Sequence, residues 1–284
     1  MDFRFSAKQP KLSHPQVLQV VDDWAEPAPL AAAYAHLKTF KTPGPAGNFW
    51  FDLGKLAGDE YVVHLRKFFG PTADFIVGHM RKLVGFLPAL GADHATHLEM
   101  WLKVDRQPTE LAYFHVDFND RADDVRNDLR NPMWATILHL GPVAGLVGGE
   151  TVFCTESPIP AAMQEALFSR LAPERIRPLS REWIDVAQKS NRLVVFKGTF
   201  PHYVDAVEAV LPEQPRLTLL VNVWDHLPIA ASRVKVCSAI EPQEFEALTK
   251  LTGLQLRQLT EIRDAIGAKD LTAAIEYVIR SGGT

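Results

Sequence analysis

The segment Tyr113-Phe114-His115-Val116-Asp117-Phe118 sets an imidazole and a carboxylate two residues apart. Its aromatic and β-branched content reads as strand, and alternate residues of a strand share a face. His115 and Asp117 then look one way, while Phe114, Val116 and Phe118 enter the opposite layer. Two ligands fixed on a rigid strand suit a facial metal site, although a lone His-x-Asp pair also arises by chance. His202, just after the apolar run 192–197, supplies a second imidazole. Two imidazoles and one carboxylate on one octahedral face suit non-haem Fe(II) and leave three positions open. Further on, the run 216–224 places Arg216, Thr218, Leu220, Asn222 and Trp224 on one strand face. Arg216 can fork onto both oxygens of a carboxylate, with the Thr218 hydroxyl as third donor. The plain alternative is a strand-end surface charge, in which case Lys197 is the basic residue left to hold such an anion.

Other candidates carry less. His94 and His97 lie near Asp93 and Glu99, but a spacing of three in a strand turns side chains to opposite faces. The remaining histidines, His139 among them, read as structural. Trp101 and Lys103 share a face, as do Trp134, Thr136 and Leu138, and either set serves as pocket lining or as ordinary core. Gly148-Gly149 lacks a following Lys-Ser/Thr and reads as a tight turn. Cys154 reads as a small buried apolar residue. The polar stretch 118–132 is longer than an ordinary connection and reads as a binding loop or lid over the site. Its Asn119, Asp120 and Arg121 stand nearest the ligands and, with Trp134, are the candidate substrate contacts.

These side chains need a scaffold. A short β-branched run at 17–21 precedes helical patterns at 30–39, 59–69 and 71–87, with 40–58 read as loop. Strand-like runs follow at 97–104, 111–118, 134–140, 150–154, 192–197 and 216–224, interrupted by a helical pattern near 160–171. From 241 onward the period is helical again. The economical reading is one domain over 1–228, made of a helix-rich support (1–96) and a β core (97–228), followed by a helical extension at 229–284.

Composition excludes several classes. The chain has 284 residues, is 47% hydrophobic and 23% charged, and carries a net charge of −4. That is an ordinary globular mix with no basic footprint for nucleic acid. No apolar run approaches the ~20 residues of a membrane-spanning helix, and the first residues lack the apolar core of a signal peptide. Two cysteines are too few for a disulfide framework. A cytoplasmic protein acting on a small molecule, with no nucleic-acid or membrane partner, is expected, and a homodimer is left open.

In order along the chain, His115-x-Asp117, Gly148-Gly149-Glu150-Thr151-Val152-Phe153, His202 and Arg216-x-Thr218 resemble the Fe(II)/2-oxoglutarate-dependent dioxygenases, in particular their prolyl-hydroxylase-like branch. The resemblance implies an α+β, mainly β fold: a double-stranded β-helix (jelly-roll, cupin-like) core with flanking N-terminal and C-terminal helices. It implies Fe(II) at His115, Asp117 and His202, 2-oxoglutarate as cosubstrate with its distal carboxylate on Arg216 and Thr218, and O2 as oxidant. An arginine rather than the lysine frequent in prolyl hydroxylases is more like small-molecule hydroxylases. The implied activity is hydroxylation of an unactivated C–H of a small polar metabolite, such as an amino acid or biosynthetic intermediate. The alternatives are a peptide hydroxylase of the prolyl type and a non-catalytic cupin-like metal binder.

Overall fold

The computed structural model describes residues 18–40, 49–109, 114–117, 131–141, 144–156, 160, 162, 173–211 and 213–226. Its centre is a six-stranded antiparallel sheet. The strands are β1 (Leu18–Val21), β2 (Phe49–Asp52), β3 (His97–Asp105), β4 (Trp134–His139), β8 (Arg192–Lys197) and β11 (Arg216–Trp224), in the order β1-β8-β4-β11-β3-β2. A smaller antiparallel sheet sets β6 (Thr151–Cys154) between β7 (Trp183–Val186) and β9 (His202–Val204), and a ribbon pairs β5 (Val147–Gly148) with β10 (Val207–Ala209). The segment 114–117 joins the far side of β9 through reciprocal backbone bonds between His115 and His202, at 2.9 and 2.8 Å.

Alternation decides what each face of the large sheet meets. On β11, Leu217, Leu219, Val221 and Val223 join Leu98, Met100, Leu102, Leu193 and Val195 in the larger apolar cluster. That cluster is closed by α1 (Pro27–Leu37), α2 (Glu60–Phe69) and α3 (Ala73–Phe86). In α2 and α3 the apolar residues recur at helical spacing, so Tyr61, Leu65, Phe68 and Ile76, Met80, Leu83 form buried stripes. Removing a buried leucine such as Leu219 would cost about 2–5 kcal/mol through lost transfer energy and a residual cavity. On the other face, Leu18, Val20, Ala135, Ile137, Val194 and Phe196 pack against Phe153 and Val186 of the small sheet. The space between the sheets is thus apolar on the β1-β8-β4 side and lined by polar side chains along β11 and β3.

The strands expected at 97–104, 134–140, 150–154, 192–197 and 216–224 are present, whereas the described part of 111–118 forms a single bridge to β9 and no strand. The expected loop at 40–58 instead contains β2, whose Phe49 and Phe51 enter the helix-side core while Trp50 meets Trp224. The Gly148-Gly149 turn has φ of 76° and 79°, the left-handed region that glycine occupies without strain. A Cβ at Gly148 would lie 2.1 Å from the Ala206 carbonyl oxygen. Most of the expected helix at 160–171 and all of the C-terminal extension lie outside the described residues. Among the described residues no helix is long and apolar enough to cross a membrane.

Candidate functional site

Phe114 is fully buried beside Val152, Cys154, Ile176 and Tyr203 on the outer side of the small sheet. This anchors the segment and turns His115 and Asp117 inward, as period two requires. His202 opens β9 on the same face, and its ring contacts Phe196 and Phe153, with centroids 4.7 and 5.7 Å away. One ligand atom from each of His115, Asp117 and His202 lies within 4.8 Å of the others. They are the group of metal-ligating side chains that the described residues bring together; His94 and His97 do not join one.

The second partners of these ligands prepare them. His202 Nδ1 lies 2.9 Å from the Phe200 carbonyl, so a neutral ring donates there and leaves the Nε2 lone pair facing the cluster. Asn131 Nδ2 donates to the Asp117 carbonyl at 2.5 Å, tying down the backbone that carries the carboxylate. Burial raises the Asp117 carboxyl to about 6, against the opposing pull of His115, whose Nε2 is 3.8 Å from Oδ1. Burial, reinforced by His115, holds the His202 imidazole well below its usual range. A partly buried carboxylate beside two imidazoles is a donor set suited to a divalent cation.

Toward the start of β11 the same cavity face carries Arg216 and Thr218. Arg216 is buried, and Nη1 donates to Asp105 Oδ2 at 2.6 Å across the β11–β3 pair. Lys103 Nζ is 3.8 Å from that same oxygen. Two cations and one carboxylate leave this corner with one surplus positive charge. Arg216 Nε is buried without a hydrogen-bond partner among the described residues. The guanidinium edge made by Nε and Nη2 therefore remains to fork onto a carboxylate. A Cβ at Gly149 would lie 3.4 Å from this Nε, so glycine keeps the approach open.

One participant was not legible as such. His139 pairs with Thr218 across β4 and β11, on the cavity face. It is 2% exposed, and neither ring nitrogen closes a hydrogen bond of good geometry, although Gln188 stands close. Burial, then the nearby Arg216 and Arg192 charges, push its pKa down to about 3, so it presents one neutral N–H donor. Thr151 Oγ1 is also buried and unpartnered in this layer. Orphaned polar atoms on Arg216, His139 and Thr151 mark a place built for a ligand that accepts hydrogen bonds.

Two expectations need correction. Trp134 is not on the cavity face: alternation sends it, with Leu138, into the helix-side cluster. Lys197 pairs with Trp134 in register and lies 4.1 Å from its ring centroid, so it cannot stand in for Arg216. Trp101 and Lys103 do lie on the cavity side of β3, half-buried. Asn119, Asp120 and Arg121 lie outside the described residues.

No family model and no curated protein matches the chain. Solved structures similar to it include a Pseudomonas putida prolyl-4-hydroxylase, at 15% identity over 73% of this chain and 91% of that one, TM-score 0.42. AviO1 from Streptomyces viridochromogenes Tue57 shows 14% identity over 75% and 91%, TM-score 0.43. HygX from Streptomyces hygroscopicus, with nickel and 2-oxoglutarate bound, shows 9% identity over 74% and 84%, TM-score 0.38. The site is read from its own residues.

Proposed function

We propose that the chain is an Fe(II)- and 2-oxoglutarate-dependent dioxygenase with a jelly-roll core, hydroxylating an unactivated C–H of a small polar metabolite. The observation that carries this reading is the presence, on the same side of the large sheet, of a His115–Asp117–His202 cluster and a cationic corner whose buried donors lack acceptors. A passive metal binder has no use for the second element.

The residues fit both groups. His115, Asp117 and His202 would hold Fe(II), which with O2 and 2-oxoglutarate supplies the oxidising power. Asp117, whose carboxyl burial raises, would be held ionised beside such a cation. The Phe200 carbonyl fixes the His202 ring through Nδ1 and keeps Nε2 free for coordination. At the other end, Arg216 forks onto the distal carboxylate of the cosubstrate through Nε and Nη2, while Asp105 steadies Nη1. His139 and Thr218, paired across neighbouring strands, add neutral donors. Phe153, Phe196 and Ile137 form the apolar wall that keeps water from the metal side.

The deciding experiment measures succinate release by the purified chain with Fe(II) and 2-oxoglutarate, across a panel of amino acids and peptides. Turnover dependent on both additions and lost in His202→Ala supports the reading. Absence of Fe(II) and 2-oxoglutarate binding in the wild-type chain refutes it, and stimulation by peptides alone redirects it to the prolyl type.

A further inference from the structure

The His202 ring rests on Phe196, with centroids 4.7 Å apart. Phe196 belongs to a row of register partners that crosses the large sheet. It pairs with Ala135 of β4, Ala135 with Asn222 of β11, Asn222 with Glu99 of β3, and Glu99 with Trp50 of β2. Directly opposed residues share a face, and here it is the one turned toward the small sheet. The helix-side core takes their neighbours Leu98, Met100, Val221 and Val223 instead. Leu220, two residues before Asn222, packs with Phe196 and Phe153 in the cluster between the sheets. Two and three strand spacings place Asn222 roughly 10 Å and Glu99 roughly 14 Å from the β8 backbone at Phe196.

Asn222 is 5% exposed, and its carboxamide makes no hydrogen bond among the described residues. Trp224, two residues along the same strand face, has a buried indole N–H without an acceptor. Orphaned polar groups in a buried layer mark a place that a ligand completes. A carboxamide offers an acceptor and donors side by side, so its complement carries a donor and an acceptor on adjacent atoms. Charge narrows the choice further. Around Asn222 the same face of β2, β3 and β11 carries Trp50, Asp52, His97, Glu99, Trp101 and Trp224. Burial lowers the His97 pKa despite Asp52, so that ring stays neutral. The formal charges at these positions are therefore two carboxylates, and the indole faces beside them also favour a cation. Lys103 and Arg216, further along the face, are turned to Asp105.

We propose that this row holds the substrate, and that the substrate is a primary amine with a hydroxyl on the adjacent carbon. The ammonium donates to the Glu99 carboxylate and to Asn222 Oδ1, while the hydroxyl accepts from Asn222 Nδ2. A carboxylate has two oxygens and about four lone-pair positions, so Glu99 can take an ammonium beside another donor. The carbon chain then crosses Ala135 toward the His115–Asp117–His202 cluster. This assignment rests on the oxygenase reading and adds to it the chemistry of the substrate.

The probes are 2-amino-1-hexanol, 1,2-hexanediol and 2-hydroxyhexanoate, which share a chain and a hydroxyl but differ in charge. Each is titrated calorimetrically into the full chain, anaerobically, with Fe(II) and 2-oxoglutarate present. The amine should bind roughly tenfold more tightly than the diol, as a charge-assisted bond requires, and 2-hydroxyhexanoate should not bind measurably. Glu99→Gln, nearly isosteric, should bring the amine to within about threefold of the diol. Asn222→Leu should weaken amine and diol alike, roughly fivefold for a lost neutral bond. If Asn222→Leu fails to fold, Glu99→Gln decides alone. A wild-type chain that binds no 2-oxoglutarate sinks the oxygenase reading and the substrate role together. If 2-oxoglutarate binds but the amine gains nothing over the diol, or keeps its full advantage in Glu99→Gln, the substrate assignment alone is overturned.

Discussion

Replacing Arg216 by alanine should damage the protein in two separable ways. The Arg216 and Asp105 side chains are 3% and 6% exposed and joined at 2.6 Å, so Arg216→Ala strands a buried carboxylate. Removing one partner of a buried pair costs about 3–5 kcal/mol, and Lys103, 3.8 Å from the same oxygen, should hold the loss to the lower end of that range. The second loss is in cosubstrate affinity. Two charge-assisted bonds from Nε and Nη2 at about 1.5 kcal/mol each, the low end for such bonds, amount to about 3 kcal/mol, or ~100-fold in Kd. Urea unfolding reads the first quantity, and 2-oxoglutarate titration of the anaerobic Fe(II) protein reads the second. The double variant Arg216→Met/Asp105→Leu separates them. With both charges gone, stability should return to within about 1–2 kcal/mol of wild type, because apolar replacement of a buried pair is near neutral. Affinity should stay lost. Recovery of 2-oxoglutarate binding in the double variant, or unchanged affinity in Arg216→Ala, would show that the guanidinium does not hold the cosubstrate.

Other outcomes follow from the same geometry. Alanine at His115, Asp117 or His202 should abolish Fe(II)-dependent succinate release while leaving the far-UV circular dichroism close to wild type. His139→Phe should raise the apparent KM for 2-oxoglutarate severalfold, as expected for a lost neutral bond of about 1 kcal/mol, with Fe(II) affinity unchanged. Trp134→Phe should leave turnover and coupling unaltered, since Trp134 faces the helices; a large rise in substrate KM would return it to the cavity. His79 and His139 both have pKa values pushed down to about 3. The unfolded chain takes up these protons below about pH 6.5, whereas the folded protein does so only near pH 3. Their contribution is therefore intact above pH 6.5 and lost as pH falls toward 3, by about 2 kcal/mol each at pH 5. Urea midpoints should fall from pH 7 to 5, and less steeply in His139→Phe.

The His115–Asp117–His202 cluster was legible because its clue is local: a period-two pair in a strand-like segment, followed by a histidine just after another strand run. The helices and longer strands were legible for the same reason. β2 was missed because four residues among glycines and prolines give periodicity too little length to act on. Asp105 could not be foreseen as Arg216's partner, since the two are 111 residues apart and only the β3–β11 register joins them. His139 has no local motif; its meaning comes from lying opposite Thr218. Trp134 was misplaced for a different reason. Every residue of β4 is buried, so alternation separates two faces without revealing which one looks at the cavity. Lys197, its register partner, inherited the same ambiguity.

β11 also has a practical meaning for altering what the site between the sheets accepts. Its odd-numbered residues from Leu217 to Val223 belong to the helix-side cluster, and its even-numbered ones to the cavity. Beyond Arg216 and Thr218, the even positions Leu220 and Asn222 share that face without belonging to the proposed cosubstrate grip. A combinatorial library confined to these two codons would reshape the chamber while leaving the strand's helix-side core untouched. Most members should express as soluble protein, so selection would act on catalytic preference rather than on survival of the fold. The reciprocal library at Leu219 and Val221 should yield mostly aggregated chains.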